Sequence, residues 1–260
     1  MKQTPNRLIA ALMTSAFTCA ASQAATIIDN FTSGNLSAYT QYTLNDTTTD
    51  RGIAFSTAAN GNVTVTSTSI TPEQVLFVKP GTSLQIGETM TLTGTFASSV
   101  AAGVVDDFGL AIGTSPITGL AAGATGDVRN SQSFVEISFR NSTPRVNALY
   151  VTTGGAIIQA NSVASANGAA TSATLTGLYI SRASATSYQV GYLTTGGSTL
   201  LTTYTYASAT DLGASVGFWT DLRGAGTVSI NNAVISVIPE PSAALLGVLG
   251  GVGLLRRRRA

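Results

Sequence analysis

Between about residues 25 and 238 the chain is written in short alternating runs, and no long segment carries the 3.6-residue apolar spacing of a helix. Val63 and Val65 alternate with Thr64 and Thr66, Met90 and Leu92 with Thr91 and Thr93, and Phe134, Ile137 and Phe139 surround Glu136 and Ser138. A period of two sends successive side chains to opposite sides of a pleated strand, so such runs bury one face of a sheet. Thr, Ser, Ala, Gly and Val dominate and charged residues make up 10% of the chain. That composition favours strands over helices and supplies enough apolar surface to make disorder a poor alternative.

Fourteen strands are predicted, near residues 26 to 31, 39 to 44, 52 to 57, 62 to 68, 74 to 78, 88 to 97, 106 to 113, 132 to 140, 144 to 152, 173 to 182, 186 to 194, 199 to 206, 214 to 220 and 226 to 237. Clusters of Gly, Asn, Asp and Pro separate them. The clearest hairpin turns around Gly196 and Gly197, between Ser187 to Leu193 and Leu200 to Tyr206. Segments 114 to 131 and 159 to 172, rich in Gly, Ala, Ser and Asn, are expected as long surface loops. No unit of roughly 20 to 50 residues repeats, which argues against a solenoid or propeller. The expected class is all-β, one domain over residues 25–238 built as a two-sheet antiparallel sandwich or jelly roll, followed by a C-terminal apolar helix.

Both termini are addresses. Residues 1–24 place Lys2 and Arg7 before an apolar run from Leu8 to Ala21 and a small-residue end, the order of a secretory signal peptide cut after Ala24 or Ala25. The single cysteine, Cys19, leaves with that segment, so the mature chain has no thiol chemistry. Lipid attachment at Cys19 is disfavoured because Ala16, Phe17 and Thr18 depart from the Leu-led pattern of such signals. At the other end, Pro239, Glu240 and Pro241 precede the apolar run Ala243 to Leu255 and then Arg256, Arg257, Arg258 and Arg259. As a transmembrane helix, 243–255 rises about 20 Å against a hydrocarbon core of about 30 Å, which suits transient insertion better than permanent residence. The arginines hold the cytoplasmic side, and the two prolines make Ile238 to Pro241 an exposed, extended peptide.

This three-part tail, residues 239–260, resembles the PEP-CTERM sorting signal of bacterial exported proteins. The resemblance implies recognition by an integral-membrane exosortase, removal of the tail, and delivery to the cell surface or extracellular matrix. A plain tail anchor with incidental prolines is the alternative. Within the domain, Ile28-Asp29-Asn30-Phe31 with Leu36 to Tyr39, and Gly217 to Asp221 followed by Val228 to Ala233, resemble the first and last strands of concanavalin A-like, laminin-G-like sandwiches.

Chemistry is bounded by what is missing. The chain has no histidine, which removes the usual hydrolase base and the commonest metal ligand, and leaves carboxylate chemistry or a Ser-Lys pair at Lys79. Without Lys2, Arg7 and the tail arginines seven basic residues remain, and without Glu240 eleven acidic ones, a net charge of about −4. Nucleic acid is therefore not an expected partner.

Glu136, Ser138 and Arg140 share one face of their strand, about 6.6 Å apart in steps of two. A glucanase-like strand would carry a second Glu at position 140 and an Asp near 138, so the chain departs from that pattern at both. An exposed Glu136–Arg140 ion pair or a polar ligand clamp is expected instead. Trp219, Asp221 and Arg223 end another strand, either as a sugar-stacking group or with the indole in the core; of Phe218 and Trp219, only one is expected inside a two-layer sandwich. Asp106, Asp107 and Asp127, or Asp29 with Asn231 or Asn232, are the candidates for structural calcium, with no other cofactor expected.

The sequence thus predicts an exported, membrane-associated precursor of a non-enzymatic surface or matrix protein that binds carbohydrate or matrix. Its expected partners are the processing enzyme and extracellular polysaccharide. A purely structural, glycosylated surface protein is the rival, and a carboxylate glycosidase the distant third.

Overall fold

A computed structural model describes residues 25–48, 52–58, 60–68, 73–114, 117–128, 132–151, 158–159, 163–164, 171–208, 212 and 215–239. The signal segment and its cleavage residue Ala24, the tail from Glu240 and the helix expected over 243–255 lie outside the described residues. The strands are β1 (Thr26–Asp29), β2 (Thr40–Asp46), β3 (Ile53–Ala58), β4 (Asn62–Ser67), β5 (Glu73–Pro80), β6 (Glu88–Ser98), β7 (Asp106–Gly113), β8 (Gly126–Asp127), β9 (Phe134–Arg140), β10 (Arg145–Val151), β11 (Ile158–Gln159), β12 (Val163–Ala164), β13 (Leu175–Arg182), β14 (Ser187–Thr194), β15 (Gly197–Thr205), β16 (Ser215–Leu222) and β17 (Gly226–Pro239). All fourteen expected strands are present, with ends shifted by no more than two residues.

They form two antiparallel sheets. The first runs β15-β14-β13-β6-β17-β4-β3, with β1 also on β17, and the second runs β11-β10-β9-β7-β16-β5-β2-β8, with β12 also on β10. Strand β17 organises the first sheet. Its first half pairs with β4 and its second half with β1, while β6 runs along the other side. The switch falls at a bulge where Asn232 takes a positive φ of 54° and Ala233 N–H donates to the Gly61 carbonyl. Beyond the bulge, Ile238 and Pro239 continue as extended strand opposite Thr89 and Glu88, with Ile238 exposed. The first two residues of the expected extended tail peptide are thus held in the sheet.

The sheets pack through the side chains that alternation turns inward: Val63 and Val65 on β4, Met90 and Leu92 on β6, Leu110 on β7, Ile137 on β9, and Ile230 and Ile235 on β17 are all essentially inaccessible. An aromatic cluster centres on Phe218. Its ring centroid lies 5.4 Å from that of Phe31, 6.5 Å from Tyr39, 6.4 Å from Phe55 and 5.3 Å from Phe108. These distances are the offset and tilted contacts that aromatic rings prefer. Phe31 and Tyr39, singled out with Phe218 in the sequence, therefore meet across the sandwich.

The second sheet is buried on its outer side as well. Leu44, Leu76, Val78, Ala111, Ile117, Phe134 and Trp219 form a separate apolar cluster there. Segment 114 to 131 is not simply a surface loop, as expected from its composition. Ile117 enters this cluster, Gln132 exchanges two hydrogen bonds with the backbone of Thr118, and Leu120 and Val128 donate to the carbonyls of Thr43 and Leu44 on β2. Consequently Phe218 and Trp219 are both interior, on opposite faces of β16, and the expectation that only one would be is corrected.

Truncating Phe218 to Ala should cost about 3–5 kcal/mol, because the ring is fully enclosed and four other rings would lose their neighbour. Urea unfolding of the two proteins measures it, and a loss below about 1 kcal/mol would remove Phe218 from the centre of the core.

Candidate functional site

Strand register lines up polar residues from six strands on the outer side of the second sheet. One row across the ladder reads Arg145, Arg140, Asp107, Asp221, Gln74, Asn45. The next, two residues along each strand and three on β2 across its bulge, reads Asn147, Ser138, Gly109, Trp219, Leu76, Tyr42, and in the third Glu136 stands between Leu149 and Ala111. Backbones approach closely beneath the second row. A Cβ on Gly109 would lie 2.0 Å from the Ile137 carbonyl oxygen, so glycine is required there.

Two arginine–carboxylate pairs lie side by side in the first row. Arg140 grips Asp107 with both its Nε (3.1 Å to Oδ1) and Nη2, and the Asn147 amide donates to the same Oδ1 at 2.7 Å. Arg223 grips Asp221 through Nε (3.0 Å) and Nη2 (2.9 Å), and the Gln74 amide donates to Asp221 Oδ2 at 2.9 Å. Two-pronged pairing of this kind gives a buried carboxylate the hydrogen bonds that water would have given it. The hydrogen bonds that Arg223 donates to Asp221 also raise the Arg223 pKa.

Among the described residues, no cation pairs with Glu136. It is 2% exposed, and its Oε2 has no hydrogen-bond partner. Burial drives its pKa well above the carboxylate range, and the neighbouring Asp107 and Asp221 charges push the same way. Ser138, on the same face, lies close enough to oppose the rise without reaching hydrogen-bond geometry. Glu136 is therefore held neutral. Asp107 is lifted by burial to about 6 against the opposing pull of Arg140 and Asn147, so at neutral pH it remains ionised.

Glu136 is not the only buried polar group here with an open valence. Gln74 Oε1, Ser138 Oγ, Arg145 Nε, Asn147 Oδ1 and Trp219 Nε1 are likewise buried without a hydrogen-bond partner. With Glu136 Oε2 they make six such atoms on one face, carried by four strands, β10, β9, β16 and β5. Buried polar atoms normally find partners, so this concentration is unusual.

The structure thus gathers Glu136, Arg140, Trp219, Asp221 and Arg223, read in the sequence as two separate groups, onto one surface. It also corrects their pairings. Arg140 binds Asp107 rather than Glu136, and no exposed Glu136–Arg140 pair forms. Trp219 is 4% exposed, packed against its apolar neighbours rather than presented for stacking from solvent. Gln74, Asn147 and Arg145 were missed, and Asp107 was read only as a calcium candidate, because their relation to the others exists only across the ladder.

The calcium candidates are dispersed. Asp106 and Asp107 are consecutive strand residues, not turn residues, and point to opposite faces. Asp106 accepts from Ser142 N–H (3.0 and 3.1 Å) while Asp107 faces Arg140. Asp127 sits in β8, in register with Asn45 at the sheet's far edge. Asp29 caps Phe31 N–H, accepts from Tyr39 at 3.2 Å and lies 3.8 Å from Lys79, while Asn232 N–H is taken by Asn62. Among the described residues, no three carboxylate, imidazole or thiol groups converge as a metal site.

No family model and no curated protein matches the sequence. Among solved structures, the chain is similar to a lectin from Bauhinia forficata in complex with GalNAc, at 10% identity over 78% of this chain and 100% of that one, with a TM-score of 0.47. It is similar to lectin II from Ulex europaeus at 13% identity over 85% and 100% of the two chains, with a TM-score of 0.47. It is also similar to a protein of unknown function from Shewanella oneidensis MR-1, at 15% identity over 84% and 85%, with a TM-score of 0.46.

The raised carboxyl pKa values set an unusual pH dependence. Between its ordinary and its raised pKa, each group binds more protons in the folded than in the unfolded state, so stability falls as pH rises through that window. For Asp107 the window runs from 3.8 to about 6, and for Glu136 it opens at 4.5 and extends well above. The melting temperature of the domain should therefore fall as pH rises from 3.8 to about 6 and continue to fall above it, and Glu136→Gln, a neutral near-isostere, should flatten the decline. A melting temperature that rises over this range, or an equally steep variant, would contradict a neutral Glu136.

Proposed function

We propose that this chain is an exported protein, sorted by its C-terminal tail to the cell surface or extracellular matrix, whose sandwich holds a neutral carbohydrate against the outer face of the second sheet. The observation that carries the binding half is the set of six unpartnered polar atoms. Leaving one such atom buried and unpaired costs about 1–3 kcal/mol, so their concentration favours a site completed by hydroxyl groups from outside the chain. Gln74 Oε1 and Asn147 Oδ1 accept, Arg145 Nε and Trp219 Nε1 donate, and Ser138 does both. A sugar hydroxyl also does both, which suits a mixed array. Asp107 and Asp221 disfavour an anionic ligand. The approach is from the Arg223 end, where that side chain is 43% exposed.

The arrangement favours binding over hydrolysis. Glu136, neutral beside ionised neighbours, has the protonation state of a general acid. Both neighbouring aspartates, however, are engaged by an arginine and an amide, leaving neither free as nucleophile or base. The export half rests on the sequence: a signal-like start, and a Pro-Glu-Pro, apolar, arginine tail that begins where β17 ends. The structural rival draws on a different observation. The outer face of the first sheet carries Thr64, Thr66, Thr93, Thr95, Ser229 and Ser236, a hydroxyl-rich surface suited to glycosylation or packing.

The native secreted protein should have an intact mass lacking residues 1–24 and Arg256 to Arg259; a mass that retains the arginines rejects sorting by tail removal. On a glycan array it should capture neutral glycans without turning them over. Ser138→Ala, which removes an unpaired hydroxyl and no observed hydrogen bond, should weaken that capture about tenfold at unchanged melting temperature. Capture that is unaffected by this variant, or no capture at all, would favour the structural rival.

A further inference from the structure

The chain enters and leaves the first sheet side by side. Thr26, the first residue of β1, stands opposite Val237 near the end of β17, and β17 closes with Pro239 opposite Glu88, the first residue of β6. The two apolar end segments, Leu8 to Ala21 and Ala243 to Leu255, are therefore attached at the same end of the sandwich.

That end also carries most of the exposed apolar surface. Among the described residues four large apolar side chains are exposed: Ile27 at 60%, Ile86 at 58%, Leu200 at 52% and Ile238 at 41%. Ile27 pairs with Ser236, which makes Ile238, two residues further along β17, its diagonal neighbour about 7–8 Å away on the same face. Ile86 lies in the turn that leads into β6, two residues before Glu88 and so just past the end of β17. Leu200 stands apart on β15, four strands from β17. Residues 25–28, 81–87 and 236–239 include no charged side chain. Glu88 accepts from Gln85 N–H, Arg182 is buried against the Leu84 carbonyl, and Lys79 faces Asp29 at 3.8 Å, so these charges are engaged within the protein.

We propose that in the tail-bearing form this end of the sandwich rests on the membrane, with Ile27, Ile86 and Ile238 set into the headgroup layer around the point where the tail enters. This contact presupposes the membrane-inserted sorting tail proposed above, and adds a lipid-facing surface on the folded domain itself. The occupant is lipid because of the length of chain available. Only Glu240, Pro241 and Ser242 separate Pro239 from Ala243, so the end of β17 lies at most about 14 Å from the start of the apolar run. A headgroup layer takes up roughly 5–8 Å of that, and the remainder is less than the roughly 10–12 Å thickness of one helix, so no other protein fits between domain and bilayer. An apolar run that rises about 20 Å in a core of about 30 Å draws the domain closer still, and isoleucines at its exit add apolar thickness that the tail lacks. Once the tail is removed the foothold fails, because even a single acyl chain holds a protein on a bilayer only marginally and reversibly. Docking therefore belongs to the precursor and ends with processing.

The tail-bearing protein without its signal segment contains no cysteine, so it accepts single labels. Ile86→Cys, Ile238→Cys and Ala102→Cys, the last exposed beyond the opposite end of the 11-residue β6, each receive a solvent-sensitive fluorophore and are reconstituted into vesicles of phosphatidylethanolamine and phosphatidylglycerol. At 86 and 238 the emission should shift to the blue, with quenching by nitroxide-labelled lipid at least about twofold stronger and quenching by iodide at least about twofold weaker than at 102. Labels at 86 and 238 that behave like the one at 102, in protein that floats with the vesicles, overturn the docking while the tail keeps its membrane role. Labels shielded from iodide but untouched by nitroxide-labelled lipid overturn it in favour of a protein contact, such as a second copy. Protein that does not float with the vesicles overturns both the docking and the membrane-inserted tail.

Discussion

Burial of β7 and β16 on both faces is the constraint on which the rest of the molecule depends. Every residue of each strand is buried, so alternation has no solvent side on which to leave polar groups. The even-numbered positions supply Phe108, Leu110, Val216 and Phe218 to the core between the sheets. The odd-numbered ones place Asp107, Trp219 and Asp221 in a second interior. Once two carboxylates are committed to that interior, arginines must follow them, because an unpaired buried charge is far more costly than a paired one. Arg140 and Arg223 meet this requirement, one from the adjacent strand β9 and one from the turn after β16 itself.

Charge balance in that interior is complete for the two aspartates and absent for Glu136. The resolution is chemical: the carboxyl keeps its proton. A neutral carboxyl among amides, a hydroxyl and an indole makes the region polar without adding a net charge, and its open hydrogen-bonding positions give it capacity for a hydroxylated ligand. The same face therefore combines rigid ion pairs, which fix geometry, with unpaired polar groups, which leave binding to be completed. The first sheet has the opposite character, with a hydroxyl-rich outer face.

Most of the fold was legible in the sequence because period-two patterning is local. Runs such as Val63 to Thr66 and Met90 to Thr93 announce strands with one buried side, and the Gly196-Gly197 turn announces its hairpin. The second interior was not legible for the same reason. A strand buried on both faces reads as an apolar run with polar interruptions, and Asp106-Asp107 at its start looks like a turn. The partners of the site lie far apart in the chain: 33 residues separate Asp107 from Arg140, and 147 separate Gln74 from Asp221. Without strand order, Glu136 and Arg140 at i and i+4 look like the natural pair. The two-residue strands β8, β11 and β12 are too short to leave any periodic signal, which is why segments 114 to 131 and 159 to 172 read as loops.

The account turns on whether the polar interior of the second sheet is a ligand site. The most direct measurement is a crystal structure of the secreted protein bound to a neutral oligosaccharide that it captures. Sugar oxygens within about 3.2 Å of Ser138 Oγ, Asn147 Oδ1 and Gln74 Oε1 are the predicted result. A sugar seated elsewhere on the molecule, with these atoms hydrogen-bonded to the protein's own groups, would contradict it.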